Sequence, residues 1–235
     1  MSENNGIFIT FEGADGVGKS TQVAFYADLL KSLGHDVLLV REPGGTRIGE
    51  TARNILLDVN NTELTDESEL LLYLVARSQV VNEVINPALK KGKIVLCDRF
   101  FDSTLAYQGY GRGMNKGFIE RANKFICGDC IPDLTILFYI SKEERDKRIS
   151  KRDELDRIES AGKMFETRVA DGFLKIAEDE KGRIALVNTE GKHSETAKRV
   201  IETASKLISI DCCDDFVRQR LEELDKEHIH SESES

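Results

Sequence analysis

The chain of 235 residues contains 40% hydrophobic and 32% charged side chains, an ordinary globular composition that excludes a disordered or collagen-like protein. No apolar run reaches the roughly 18 residues of a membrane-spanning helix, and the N-terminal MSENNG lacks the features of a secretory signal, so we expect a cytoplasmic protein with no membrane partner. The net charge is −9, with nine acidic and three basic residues after position 210, and the nearly balanced remainder indicates no nucleic acid polymer as partner.

Five short apolar segments are predicted as strands, and helical patterns alternate with them. The predicted strands are 7–12, 36–41, 94–97, 133–140 and 183–187. Because these segments are apolar throughout rather than at alternate positions, both faces of their sheet should be covered. The pattern predicts an α/β fold with a doubly wound parallel sheet and helices on both faces.

Helices are predicted at about 18–33, from the loop 43–46 up to residue 57, at 66–90, after Ser141, at 194–208 and at 214–226. The longest of them begins with Asp66 and Glu69 in the spacing of a capping box. Its apolar residues cover more than a single stripe, so more than one side should be buried. We expect one domain over 1–210 and an acidic tail over 211–235 that is helical and then frayed.

A glycine-rich segment between the first predicted strand and the first helix matches the phosphate-binding motif G-x-x-x-x-G-K-[ST] in full. The expected contacts to ATP phosphates are Gly13, Ala14, Asp15, Gly16, Val17, Gly18, Lys19, Ser20 and Thr21. Glycines let backbone N–H groups converge on phosphate oxygens, and the helix N-terminus adds a favourable dipole. Lys19 should reach the β- and γ-phosphates, and Ser20 should place its hydroxyl on Mg²⁺.

Asp98 ends the third predicted strand, where enzymes with this motif place a carboxylate that holds Mg²⁺. Arg99 follows it directly, which suggests a second bound phosphate group; the alternative is an ion pair at the strand end. After the fourth strand, basic and acidic residues are interleaved. They predict either a solvated helix with many salt bridges or a mobile lid, about 148–160, that closes over the transferring phosphoryl group.

The five cysteines include Cys127 and Cys130 in a C-x-x-C pattern. This pair lacks a second ligand pair nearby, and no histidine follows at zinc spacing. We therefore interpret both as structural thiols rather than as a metal site.

Six segments occur in one order and spacing: FEGADGVGKST, REPGGTRIGETAR, YLVARSQ, DRFFDSTLAYQGYGRG, PDLTILFYI and ELDRIE. On these segments the chain resembles the thymidylate kinases over residues 6–208. The resemblance implies transfer of the γ-phosphoryl group of ATP to dTMP, giving dTDP and ADP for dTTP synthesis, with Mg²⁺ as cofactor. It also implies sheet order 2-3-1-4-5 and a homodimer, for which helix 66–90 would be a natural surface; a buried core helix explains that pattern equally well.

The resemblance assigns residues to the sugar and phosphate of dTMP. Asp15 would reach the 3′-hydroxyl, and Arg53 and Arg99 would hold the acceptor phosphate. Forked guanidinium groups suit a dianionic phosphate. No arginine occupies the variable positions 14–17 of the glycine-rich motif, so the resemblance implies a catalytic arginine in the lid. The unranked candidates are Arg148, Arg152 and Arg157.

The same resemblance assigns residues to the base. Tyr73 would stack on thymine, since a flat base suits an aromatic face, and Arg77 would donate to a base carbonyl. Tyr107 would disfavour a ribose 2′-hydroxyl. The base and sugar would further be lined by Ser103, Thr104 and Gln108.

Three other functions remain open at this point. A kinase of another nucleotide would share every phosphate-binding element and differ only at the base pocket. A regulatory ATPase would hydrolyse ATP without an acceptor, although Arg53, Arg99 and Tyr73 would then share no purpose. An inactive paralogue acting as an interaction protein is disfavoured because all the phosphate-binding elements are present.

Overall fold

The computed structural model describes residues 6–149 and 156–233, the last seven of these without their side chains. Five strands form one parallel sheet in the order β2-β3-β1-β4-β5, which confirms the predicted order 2-3-1-4-5 and the α/β fold class. The strands are β1 Ile7–Glu12, β2 Val37–Arg41, β3 Ile94–Asp98, β4 Leu134–Tyr139 and β5 Ile184–Asn188.

Ten α-helices lie within the described residues, and none of those described is long and apolar enough to cross a membrane. They are α1 Lys19–Ser32, α2 Arg47–Leu57, α3 Asp66–Val80, α4 Asn86–Lys90, α5 Phe101–Thr104, α6 Lys116–Cys127, α7 Lys142–Ile149, α8 Lys163–Asp179, α9 His193–Ala204 and α10 Asp215–Ser233. The π-helical segment Val81–Ile85 joins α3 to α4, so the predicted helix 66–90 is one continuous rod. A second π-helical segment, Leu105–Gly111, extends α5.

Helices cover the sheet on both faces because adjacent strand residues point in opposite directions. Ile9 and Leu96 pack in one core cluster with residues of α1, α9 and α10. Phe8 and Val95 pack in a second cluster, on the opposite face, with residues of α3 and of the π-helical segment after it. Continuous apolar strands therefore have both of their faces buried, as the sequence pattern predicts.

Cys127 and Cys130 belong to the second core cluster and are only 4% and 5% exposed. Burial raises the pKa of each thiol to about 12. A thiol at neutral pH is a poor nucleophile and a poor metal ligand. Both residues therefore contribute packing in this conformation.

The predicted capping box at the start of α3 is wrong. The N-cap residue is Thr65, whose hydroxyl accepts a hydrogen bond from the Ser68 backbone N–H at 3.3 Å. Threonine one position before Asp66 competes successfully for the cap. The Glu69 side chain is therefore not needed at the helix end, and it points inward with no exposed surface.

The acidic C-terminal segment carries a helix that packs onto the domain. Helix α10 buries Val217, Leu221 and Leu224 to 1%, 2% and 5% exposure, in the same core cluster as α1 and α9. Arg220 forms an ion pair with Asp28 of α1. The helix is longer than the predicted 214–226, since it continues to Ser233.

Candidate active site

The glycine-rich loop connects β1 to α1 and follows the predicted phosphate-binding arrangement. Gly16 and Gly18 have φ of 82° and 84°, a left-handed conformation that favours glycine. A Cβ on Gly16 would lie 2.8 Å from Ile149 of α7, and a Cβ on Gly13 would lie 2.7 Å from the Phe138 carbonyl oxygen. The loop is therefore tightly enclosed by α7 and β4, with its backbone fixed before any phosphate arrives.

Lys19 is only 7% exposed, and its Nζ lies 3.4 Å from the Gly13 carbonyl oxygen. Burial, together with the charge of Arg99, lowers the pKa of Lys19 to about 8, while Asp98 and Asp15 oppose that decrease. The ammonium group is thus held in place and is still largely protonated at neutral pH. Its position agrees with the predicted contact to phosphate.

Ser20 and Asp98 come together as predicted for a metal site. The Ser20 hydroxyl donates to Asp98 Oδ2 at 3.2 Å, although 78 residues separate the two in sequence. Asp98 Oδ1 is buried and has no hydrogen-bond partner among the described residues. A hydroxyl beside a carboxylate with an unsatisfied oxygen is a donor set that fits Mg²⁺.

The loop opens into a cleft of about 400 Å³ that also contains every residue assigned above to dTMP. These residues come from the loop, α2, α3 and the segment after β3, so the fold joins four distant stretches of chain. From the loop itself, residues 15–21 line the cleft, whereas Gly13 and Ala14 lie behind it. The assigned residues at the cleft are Asp15, Arg53, Tyr73, Arg77, Arg99, Ser103, Thr104, Tyr107 and Gln108.

Arg99 lies at the centre of the cleft in a left-handed conformation, with φ of 68°. Its guanidinium group donates to the Gly13 carbonyl oxygen at 3.0 Å and to Asp15 Oδ1 at 2.5 Å. Glu12 stabilises the turn after it, since Glu12 Oε1 accepts from the backbone N–H groups of Phe100 (2.7 Å) and Ser103 (3.2 Å). A positive φ is strained for arginine, so these bonds compensate for that strain.

Glu12 is a residue that the sequence patterns miss. It is fully buried, and burial together with the charge of Asp102 raises its pKa to about 7, against the opposing effects of Ser103 and Arg99. The sequence gives one indication that Glu12 belongs to the site, namely its position at the end of β1. The carboxyl ends of parallel strands converge at one edge of the sheet, where the site lies.

Asp15 and Tyr107 line the cleft and contact each other. The Tyr107 hydroxyl donates to Asp15 Oδ2 at 2.6 Å, and the Arg99 guanidinium carbon lies 5.1 Å from the centre of the Tyr107 ring. Tyrosine, arginine and aspartate thus hold one another in a fixed arrangement. A bulky ring at this position limits the space beside Asp15.

Arg53 of α2 and Tyr73 of α3 also line the cleft. Arg53 Nη1 donates to the Pro43 carbonyl oxygen at 3.0 Å, which fixes the guanidinium group at the cleft. Burial and the charge of Arg41 lower the pKa of Arg53, and an arginine still remains protonated there. Two arginines, Arg53 and Arg99, thus reach one cleft, as binding of an acceptor phosphate requires.

Arg77 is held within a buried network at the cleft. Its Nε and Nη2 donate to Glu42 Oε2 at 2.8 and 2.6 Å, and its Nη1 donates to Thr104 and Asn123, both at 2.8 Å. The guanidinium group also lies 5.4 Å from the Phe100 ring centre. Arg77 is thus both a cleft residue and a structural ion-pair partner.

We expect Arg77→Ala to lower the free energy of unfolding by about 3–5 kcal/mol, because Glu42 would remain as an unpaired buried charge. Urea unfolding measures this loss. Adding Glu42→Gln to Arg77→Ala should restore part of the stability, since it removes the uncompensated carboxylate. A loss below about 1 kcal/mol in the single variant would contradict the structural role.

Glu69 is a third buried carboxylate that organises the cleft. It accepts from Gln108 Nε2 at 2.9 Å, from Arg112 Nη2 at 2.9 Å and from Arg157 Nη2 at 2.6 Å. Arg112 and Arg157 lower the pKa of Glu69 against the effect of burial. Glu69 therefore connects the base pocket to the segment that follows residue 155.

Two of the three candidate lid arginines lie within the described residues, and these two have different positions. Arg148 lies beside the glycine-rich loop, where Nη1 donates to the Val17 carbonyl oxygen at 3.5 Å and Nη2 to that of Thr189 at 3.2 Å. Arg157 is turned away from the loop, since Nε donates to the Leu56 carbonyl oxygen at 2.8 Å and Nη2 binds Glu69. Arg152 lies outside the described residues. The structure thus brings one of these candidates to the phosphate-binding loop.

Comparisons with known proteins agree with this geometry. A model of the family "Thymidylate kinase" matches residues 11–200. The thymidylate kinase of Desulforudis audaxviator is 48% identical over 187 residues, which are 79% of this chain and 84% of that protein. That of Exiguobacterium sibiricum is 43% identical over 205 residues, covering 86% and 97%.

Similarity extends to a solved structure. The crystal structure of thymidylate kinase from Ehrlichia chaffeensis matches with a TM-score of 0.69 and 35% identity, over 84% of this chain and 97% of that one. The family model covers more than half of the chain, and the relatives are matched over most of their length. Together with the phosphate-binding loop and the two-arginine cleft, these matches establish that the chain belongs to the thymidylate kinase family.

Proposed function

We propose that the protein transfers the γ-phosphoryl group of ATP to dTMP, giving ADP and dTDP for dTTP synthesis. The observation that carries this proposal is the single cleft in which the phosphate-binding loop faces Arg53, Arg99, Tyr73 and Tyr107. A nucleotide phosphatase or switch would need the loop but not a second set of phosphate and base contacts. One cleft that holds two nucleotides suits direct transfer between them.

The reaction is promoted by position and charge. Lys19 and the loop N–H groups hold the donor phosphates, and Arg53 and Arg99 hold the acceptor phosphate in line with them. The acceptor oxygen is already anionic, so no strong general base is required. Asp15, held by Tyr107 and Arg99, orients the sugar, and the Tyr107 side chain beside it disfavours a ribose 2′-hydroxyl.

Mg²⁺ fits the site that Ser20 and Asp98 form. These two residues would hold it through the serine hydroxyl and the free carboxylate oxygen. When bound, Mg²⁺ neutralises negative charge on the donor phosphates. Asp98 would contribute its ligand oxygen from the end of β3, a position fixed by the sheet.

The catalytic arginine of the lid is proposed to be Arg148 or Arg152. Arg148 already lies beside Val17, so a small movement of α7 would bring it to the donor phosphates. Arg157 instead anchors its segment to α2 and Glu69. We assign it a positioning role in which it closes the base side of the cleft.

The acceptor is tested by ADP release from ATP and Mg²⁺ in the presence of dTMP, dUMP, ribothymidine monophosphate, dGMP or dCMP. We expect strong stimulation by dTMP and weak stimulation by the ribose form, because Tyr107 and Asp15 fill the space beside the sugar. If only a monophosphate with a different base stimulated ADP release, that nucleotide and not dTMP would be the acceptor. ADP release that is indifferent to every monophosphate would support a regulatory ATPase instead.

We also propose that the protein is a homodimer, through a surface that extends from α3 onto α6. Leu71 and Val75, one turn apart on α3, are 55% and 45% exposed, and Phe118 and Phe125 on the adjacent α6 are 48% and 90% exposed. Exposed apolar side chains on two neighbouring helices mark an interface. A second copy of the chain is the occupant that the family resemblance implies.

A charge on this surface should dissociate the dimer. We expect Val75→Glu to shift the mass measured by light scattering from two chains to one, because a buried unpaired carboxylate opposes association. The matched control is Glu67→Gln on the same helix, at an exposed position without apolar character. A wild-type protein that scatters as one chain would contradict the proposal.

A further inference from the structure

Helix α10 lies beyond residues 11–200, the part of the chain that the family model matches. It is nevertheless built into the core, because Val217, Leu221 and Leu224 recur at intervals of four and three residues on its buried face. Its charged residues also make specific contacts, including the ion pair between Arg220 and Asp28 of α1. A helix attached in this way can position other elements.

Asp225 of α10 satisfies the N-terminus of α9. Its Oδ1 accepts from the Ser194 backbone N–H at 2.9 Å, and its Oδ2 accepts from the Ser194 hydroxyl at 2.7 Å. The N-cap residue of α9, Lys192, provides no side-chain cap. The first N–H groups of a helix need an acceptor, and a carboxylate there also interacts favourably with the helix dipole. A residue 31 positions away therefore performs the function of a local cap.

Two contacts link the start of α9 and the residues before it to α1 and, through Arg148 of α7, to the phosphate-binding loop. Gln22 of α1, which is 2% exposed, donates from Nε2 to the His193 carbonyl oxygen at 3.0 Å. Arg148 bridges the carbonyl oxygens of Val17 and Thr189. Residues 189–193 thus contact α1, the helix that follows the loop, directly, and the loop itself through Arg148.

We propose that Asp225 is a positioning residue for the phosphate-donor side of the active site. By fixing the N-terminus of α9, it holds residues 189–193 against Gln22 and Arg148, and so holds the loop that binds the donor phosphates. This inference rests on the proposed function in that the loop binds ATP. Apart from Asp15 of the loop itself, the acceptor residues lie on α2, α3 and the segment after β3, so the acceptor side should depend on Asp225 much less than the donor side does.

The test compares Asp225→Ala and Asp225→Asn with Glu222→Gln, a matched change at an exposed position of the same helix. Calorimetry gives the Kd for ATP and for dTMP, and initial rates give the two KM values. We expect Asp225→Ala to raise the Kd and KM for ATP about fivefold, with those for dTMP raised by less than about twofold. Asp225→Asn keeps one acceptor and should give a smaller increase, and Glu222→Gln should give none.

Thermal unfolding distinguishes a specific effect on ATP binding from a general loss of stability. Loss of a helix cap should lower the melting temperature by about 2–4 °C, which leaves the variants folded at assay temperature. A lower melting temperature with unchanged ATP parameters would show a purely structural role and overturn the proposal. Equal increases for ATP and dTMP would also overturn it. Because ATP binding is measured directly, a wild-type protein that binds ATP but ignores dTMP would refute the proposed function alone.

Discussion

Lys19→Ala is expected to lower the turnover number about 10³-fold while the Kd for dTMP stays within about twofold of its original value. The reason is the geometry of the loop, where the Lys19 Nζ is buried beside the Gly13 carbonyl oxygen on the donor side. The acceptor is held by other residues, among them Arg53 and Arg99. Charge stabilisation of the transferring group is therefore lost while acceptor binding remains.

Coupled ADP release measures the turnover number, and calorimetry measures dTMP binding. Lys31→Ala provides a control, since Lys31 is exposed at the far end of the same helix. Far-ultraviolet circular dichroism confirms that each variant is folded. Turnover of the Lys19 variant within about tenfold of the wild type would refute the assignment of this loop as the phosphate cradle.

Arg99→Lys should lower kcat/KM for dTMP about 10²-fold with little effect on the KM for ATP. Arg99 uses two nitrogens at once, towards Gly13 and Asp15, and a lysine ammonium group cannot reproduce this fork. Lysine and arginine experience similar backbone strain at a φ of 68°, so the substitution does not change the strain at position 99. The change isolates the geometry of the guanidinium group from its charge.

Initial rates at varied dTMP and saturating ATP give this ratio. The matched control is Arg121→Lys, an exposed position on α6. A kcat/KM within about threefold of the wild type would show that a point charge suffices at position 99. The two-nitrogen fork of Arg99 towards Gly13 and Asp15 would then have no catalytic value.

The strands and the phosphate-binding loop are predictable because local sequence determines them. Runs such as residues 7–12 are apolar on both faces, which in a short segment favours a buried strand. The left-handed residues Gly16 and Gly18 occupy positions that disfavour other side chains. In both cases the residues that determine the local structure are the same few residues that form the sequence pattern.

The buried carboxylates are not predictable in this way. Glu12, Glu42 and Glu69 bind groups 35 to 91 residues away, through contacts that exist only after the sheet has formed. Glu69 even resembles a helix-cap residue in its spacing, although Thr65 provides the cap. Long-range ion pairs leave no periodic signal, so only the folded structure reveals them.

The position of α10 follows a similar rule. Its composition is acidic, which favours a solvated tail. Against this, the sequence indicates packing onto the domain only through three apolar residues, Val217, Leu221 and Leu224. Their spacing marks one face of a helix. The partner surface on α1 and α9 becomes apparent only when both helices are placed on the sheet.

Docking of α10 also has a consequence for biosynthesis. The ribosome makes β5 well before Leu224, and at about 5–20 residues per second the intervening stretch takes about 2–7 s. During that interval the apolar faces of α1 and α9 lack their cover. Nascent chains, and chains that terminate early, would therefore expose this apolar surface, to which chaperones or other incomplete chains can bind. Once the helix is complete, it covers the surface.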